Sequence, residues 1–110
     1  LLGAAGLGDI GTHFPDSDPK YKGADSLRLL TEAVRLLSEK GFRAVNIDCT
    51  VITEEPKISP YKEKMRENIA KACNLPTDAV NVKGKTEEGL GFTGEKLGIK
   101  ALATCLITEK

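Results

Sequence analysis

The sequence carries no net charge: sixteen basic residues face sixteen acidic ones. No long-range field therefore favours nucleic acid or an anionic membrane, and any bound anion must be held by local geometry. There is no apolar run long enough to span a bilayer and no signal peptide. Histidine is nearly missing. His13 is the only one, and no second histidine or cysteine stands at ligand spacing from it, which argues against a zinc site built on it. Cysteine is sparse and unpaired. Cys49, Cys73 and Cys105 are an odd number without CxxC spacing, and each sits among apolar neighbours. They read as reduced, buried thiols of a cytosolic protein rather than as a disulfide or metal framework. Internal repeats and low-complexity tracts are also missing.

What is present is an ordinary globular balance, 40% hydrophobic and 29% charged over 110 residues. That length fits one domain, 1–110. Residue 1 is not Met, and Leu1–Leu7 reads as the tail of a helix with no N-cap before it. The natural protein is accordingly expected to begin upstream. Gly8-Asp9-Ile10-Gly11 has the pattern of a terminator and a turn. Pro15-Asp16-Ser17-Asp18-Pro19 is a polar loop rich in side-chain oxygens.

Asp25 or Ser26 is expected to cap a helix over Leu27–Lys40. Leu27, Leu30, Val34 and Leu37 form its stripe, widened by Leu29, Ala33 and Leu36, and Gly41 ends it. Arg43–Thr53 alternates as a strand. After the connection Glu54–Ile58, Ser59 and Pro60 are expected to open a second helix with Tyr61, Met65, Ile69 and Cys73 as its seam, ended by Asn74 and Pro76. Val80–Lys85 reads as a short strand, Thr86–Gly94 as a glycine-rich loop, and Ile99–Thr108 as an apolar strand. The class is α/β or α+β, with helices packed on one face of a single mixed β-sheet.

Three polar segments interrupt this scaffold: Gly8–Asp18, Thr53–Ser59 and Lys83–Gly94. Loops on a rigid sheet are where sites are built. Lys57 is a mobile cation suited to a phosphate. Thr86 offers a hydroxyl, and Gly84 lets a planar ring approach the backbone. Glu88 is a hard oxygen ligand for Mg²⁺ or Mn²⁺. Asp9 can accept hydrogen bonds from substrate hydroxyls. Each of these residues taken alone is an ordinary surface or turn residue. GLGFTG is neither a dinucleotide fingerprint nor a Walker loop.

Taken in order, GDIGTHFPDSDPKYKGADS, DCTVITEEPKISPY and VNVKGKTEEGLGFTG resemble the successive signatures of the 2-C-methyl-D-erythritol 2,4-cyclodiphosphate synthase family, from Leu1 to Lys110. On this resemblance the chain is the C-terminal two-thirds of such a domain. The resemblance implies a metal-dependent lyase of non-mevalonate isoprenoid biosynthesis, cytoplasmic and bacterial. Its substrate's 2-phosphate attacks the β-phosphorus of a cytidine-diphosphate derivative, giving the cyclic diphosphate and CMP. A zinc ion would polarise the β-phosphate, and a second divalent ion, Mg²⁺ or Mn²⁺, would bridge the diphosphate.

The resemblance also implies roles. Asp9, Ile10 and Gly11 hold the methylerythritol hydroxyls, and Phe14, Pro15, Asp16, Ser17 and Asp18 form the loop beside them. Thr53, Glu54, Glu55, Pro56, Lys57, Ile58 and Ser59 line the cytidine and phosphate pocket, together with Gly84, Lys85 and Glu87. Thr86 stabilises the transition state, Glu88 binds the second metal, and Phe92 belongs to the substrate wall. A homotrimer is implied, with active sites between subunits and an isoprenoid diphosphate at its axis. The family's zinc ligands, an Asp-x-His pair and a further His, would all precede Leu1. Glu95 stands where the family often has a basic residue. A catalytically silent module that binds a nucleotide or isoprenoid phosphate is the alternative from a different class, and a small α/β interaction domain is the third reading.

Overall fold

A computed structural model describes all 110 residues. The elements are α1 (Ile10–His13), α2 (Ser26–Glu39), β1 (Phe42–Ile52), α3 (Lys62–Cys73), β2 (Val80–Lys85), α4 (Gly91–Gly94) and β3 (Lys100–Glu109). The strands form one mixed sheet in the order β2-β1-β3. β1 runs parallel to β2, with Ile47 opposite Val80 and Ile52 opposite Lys85. It runs antiparallel to β3, with Phe42 opposite Glu109 and Ile52 opposite Lys100. α3 is the crossover that a parallel β1–β2 pair requires.

α2 and α3 lie side by side on one sheet face, and the core forms there. Leu37 and Val80 are fully buried, with Ala33, Ile47, Ala70, Cys73 and Val82 around them. The opposite face is bare. Alternation directs Asp48, Asn81 and Lys83 onto it. Asp48 accepts from Lys83 Nζ at 2.8 Å and from Asn81 Nδ2 at 3.1 Å. These two bonds, Lys83 first, hold its carboxyl below the usual range. Leu102 and Leu106 share this face and stay more than half exposed.

Several local expectations change. Leu1–Leu7 does end as a helix ends, but at Gly6 rather than Gly8. Leu7 N–H donates to Leu2 O and Gly6 N–H to Gly3 O, with Gly6 at φ +70°, the paired bonds of a left-handed C-cap. Leu27 lies in the first turn of α2 and remains exposed. Ser59 does not cap α3. Ser59–Tyr61 is a 3₁₀ turn, and α3 starts at Lys62 without a side-chain cap. Pro60 lies in that turn, and Tyr61 is exposed instead of joining the seam. Strands β1 and β3 are displaced by one residue from their expected bounds. The glycine-rich loop contains α4.

Candidate functional site

The cleft of interest opens where β1 and β2 end side by side. Being parallel and in register, they deliver Ile52 and Lys85 to the same edge. Thr53 N–H extends the ladder by donating to Lys85 O at 3.0 Å. The buried Thr53 hydroxyl donates to Glu55 O at 2.6 Å, folding the chain into the turn that carries Lys57. The Glu55–Pro56 peptide is cis. Ile58 is buried over Gly84. A Cβ at Gly84 would come within 3.2 Å of Ile58 Cβ, so glycine is what lets this loop sit close.

The resulting cleft holds about 160 Å³. Lys57, Lys62 and Lys85 converge on it, with Thr53, Ser59 and Thr86 supplying hydroxyls. None of the three lysines is ion-paired. Three unpaired ammonium groups and three hydroxyls around a small space have the chemistry to attract an anion, and Gly84 and Pro56 add little bulk beside them. Lys62 was not legible as a site residue. The signal available was its place at the start of a helix five residues after Lys57, where helix polarity favours an anion.

Beyond Thr86 the loop is tightly folded. Glu88 N–H donates to Thr86 Oγ1 at 3.3 Å. Glu88 and Gly89 both adopt the left-handed region, φ 54° and 83°. Gly89 N–H donates to Glu54 Oε1 at 2.9 Å, across 35 residues of sequence. Lys96 Nζ lies 3.2 Å from Glu55 Oε1. Gly94 presses on Gly89, where a Cβ would stand 2.3 Å from the Gly89 carbonyl carbon. Glu54 and Glu55, expected to line the pocket, thus tie its two loops together. Glu88 is exposed, and its carboxylate makes no ion pair or hydrogen bond within the chain. Glu87 is half-buried beside it. Phe92 sits on α4, half exposed, with its ring against Gly98 rather than in the cleft.

The first polar segment lies apart from this cleft. Asp9 is the N-cap of α1, accepting from Thr12 N–H at 2.9 Å and from Thr12 Oγ1 at 2.8 Å. These bonds hold its carboxyl below the usual range. Ile10 and Gly11 are exposed on the same short helix. His13 Nε2 donates to Leu7 O at 2.6 Å, a fastening within the turn. Phe14 is buried edge-on against Tyr21, with centroids 5.4 Å apart. Pro15 is half-buried, Asp16 and Ser17 form the exposed turn, and Asp18 caps the next turn by accepting from Lys20 N–H. Asp9 and Ile10 border a second, larger concavity of about 520 Å³ between α2 and the sheet, with mostly apolar walls.

The donor set does not fit zinc. No three His, Cys, Asp or Glu side chains come together. Burial raises the Cys49 thiol and pushes Cys73 up to about 11, which disfavours the thiolates a metal would need. Glu88 alone fits a hard divalent cation whose remaining ligands are phosphate oxygens and water.

An α+β domain with a lysine-lined cleft at the carboxyl ends of parallel strands is the class these features define. The comparisons narrow it. The model of the YgbB family matches residues 1–108. The 2-C-methyl-D-erythritol 2,4-cyclodiphosphate synthase of Clostridium perfringens is 56% identical over 109 residues, covering 99% of this chain and 70% of that protein. The synthase of Clostridioides difficile is 53% identical over 107 residues, 97% of this chain and 66% of that protein. Among solved structures, the bifunctional IspDF of Campylobacter jejuni superposes with a TM-score of 0.94 at 43% identity, covering 99% of this chain and 30% of that one. A CDP complex of IspF from Plasmodium falciparum gives 0.85 at 38% identity, covering 99% and 65%. The chain therefore belongs to the YgbB family, that of the 2-C-methyl-D-erythritol 2,4-cyclodiphosphate synthases.

Proposed function

We propose that the cleft between Thr53–Ser59 and Gly84–Thr86 holds the cytidine diphosphate part of the family's substrate, and that the chain serves the CMP-releasing cyclisation. The observation that carries this is the convergence of Lys57, Lys62, Lys85 and Thr86 on one small space, in a fold whose relative was solved with CDP. The reaction needs no protein nucleophile. An oxygen of the substrate's 2-phosphate forms a bond to the β-phosphorus while the bond to the CMP oxygen breaks, and the electron pair leaves with CMP. Catalysis of such a step is positioning plus neutralisation of charge. Pro56, Ile58 and Gly84 receive the base, the lysines draw the phosphates along the cleft, and the Thr86 hydroxyl donates to a phosphate oxygen. A divalent cation, when bound by Glu88, would supply further charge neutralisation. No step is assigned to zinc, because the residues present do not form its site.

Asp9, Ile10, Gly11 and the Phe14–Asp18 loop, with Phe92, complete the substrate wall in this reading. Their separation from the lysine cleft supports a site shared between subunits of a homotrimer, each contributing one part. The exposed Leu102 and Leu106 on the bare sheet face supply an apolar surface for that assembly, and the space enclosed at its axis suits an isoprenoid diphosphate. Light scattering at micromolar concentration is expected to give three subunits, and a monomer mass would contradict the shared site. A cytoplasmic location accords with three free thiols, and no helix is long and apolar enough to cross a membrane.

Calorimetry with CDP tests the reading. Saturable binding of one CDP per chain is expected, and no binding would overturn it. A catalytically silent module that binds a nucleotide or isoprenoid phosphate is the second reading. CMP release from the substrate would rule it out.

A further inference from the structure

The two loops that enclose the lysine cleft leave different strands and are joined by two charged contacts, the Lys96–Glu55 ion pair and, next to Glu88, the Glu54 carboxylate, whose Oε1 accepts the Gly89 N–H at 2.9 Å. Gly89 directly follows Glu88, which holds a left-handed backbone at φ 54° that non-glycine residues adopt only when their surroundings impose it. Local bonds fix only part of this loop. The Thr86 hydroxyl accepts from Glu88 at 3.3 Å, a long contact, and Leu90 N–H donates to Glu87 O at 3.0 Å. Glu54, half-buried and anchored next to the buried Thr53, connects the loop to the sheet.

We infer that Glu54 is a positioning residue: its carboxylate clamps the Gly89 amide and thereby sets Thr86 and Glu88 at the distal-phosphate end of the cleft. This rests on the proposal above that the cleft takes a nucleoside diphosphate. In that reading the two ends of the ligand meet different residues. The base end is bounded by Pro56, Ile58 and Gly84, which lean on β1 and β2. The phosphate beyond the first one meets the loop that leaves the cleft at Thr86, and this is the part Glu54 holds. A side chain there with no acceptor frees the loop without touching the base end. A glutamine keeps an acceptor oxygen at the same reach and loses only the charge.

The test is calorimetry of CDP and of CMP with the wild-type protein, Glu54→Ala and Glu54→Gln, with thermal melts of all three. Glu54→Ala is expected to weaken CDP about tenfold, the scale of one hydrogen bond to a charged group, and to change CMP by less than about twofold. Glu54→Gln is expected to recover most of the CDP affinity, and the melting temperatures should agree closely. Unchanged CDP binding by Glu54→Ala overturns the inference. Equal loss of CDP and CMP together with a lowered melting temperature also overturns it, because Glu54 would then merely support the fold. Wild-type protein that binds neither nucleotide would instead refute the functional reading on which the inference rests.

Discussion

Two of the chain's concavities are of opposite character. The larger, about 520 Å³, lies between α2 and the sheet and is walled by Leu29, Leu30, Ala33, Ile47 and Cys105. Its one charged side chain, Asp9, is already committed to Thr12. The smaller, about 160 Å³, is polar and carries three lysines without carboxylate partners. Size ranks the apolar one first, but chemistry ranks the polar one first. Unpaired cations close together repel each other, and a bound anion would relieve that repulsion. An apolar hollow expresses only surface still uncovered.

The core under the helices holds the whole scaffold, and breaking it should show the largest effect. Leu37 is fully buried beneath both helices. Leu37→Ala is expected to cost about 3 kcal/mol of stability, from lost transfer energy and the cavity left behind. Chemical denaturation measures it, and a loss under about 1 kcal/mol would mean the helices are not packed as described.

The second substitution sharpens the contrast between the concavities. Lys57→Ala is expected to weaken CDP binding by about 1.5–3 kcal/mol with little change in stability, since Lys57 is exposed and makes no ion pair in the free chain. An unchanged dissociation constant would return Lys57 to the solvated surface. Arg66 gives a smaller effect of the reverse kind. Its guanidinium donates to Val80 O at 2.8 Å and to Thr77 O at 3.1 Å, pinning α3 to the start of the strand that carries Lys85 and Thr86. Arg66→Ala leaves these carbonyls without their donor and is expected to cost about 1–2 kcal/mol in the same denaturation experiment, with CDP affinity reduced less than by Lys57→Ala.

The smallest effect concerns pH. Burial raises the Cys73 thiol from 9.0 to about 11. Below the lower value both folded and unfolded chains hold the proton. Between the two values the unfolded chain releases it first, so stability should fall as pH rises from about 9 to 11. Cys73→Ala should flatten that part of the profile. A wild-type curve already flat there would place the thiol in water.

Much of this was legible in residue order. Strand β2 was read at its observed bounds because Val80 and Val82 alternate with Asn81 and Lys83 between Pro76 and the glycine-rich loop. α2 was read to within one residue because its stripe and its Asp25 cap agree. Lys57, Gly84 and Thr86 were legible from residue type and, with Lys85, from motif resemblance, whereas their meeting at one edge depends on the parallel register of β1 and β2. The roles of Glu54 and Glu55 were not legible. Their partners, Gly89 and Lys96, lie 35 and 41 residues away, and only the register of β1 on β2 decides that they meet. Ser59 misled for a local reason. Ser-Pro usually opens a helix, but here the first turn tightens to 3₁₀ to bring Ile58 over Gly84, and the capping role lapses. Lys62 was missed because a lysine at the start of a helix looks like a solvated charge until the neighbouring loop folds over it.

The central claim is that the lysine cleft, and not the larger apolar hollow, receives the nucleotide diphosphate. Backbone amide shifts followed during a CDP titration test it most directly. Saturable shifts are expected at Lys57, Gly84, Lys85 and Thr86, extending to Gly89, with Ala33, Ile47 and Cys105 unmoved. Shifts centred on Ala33 and Cys105, with the lysine cleft silent, would contradict it.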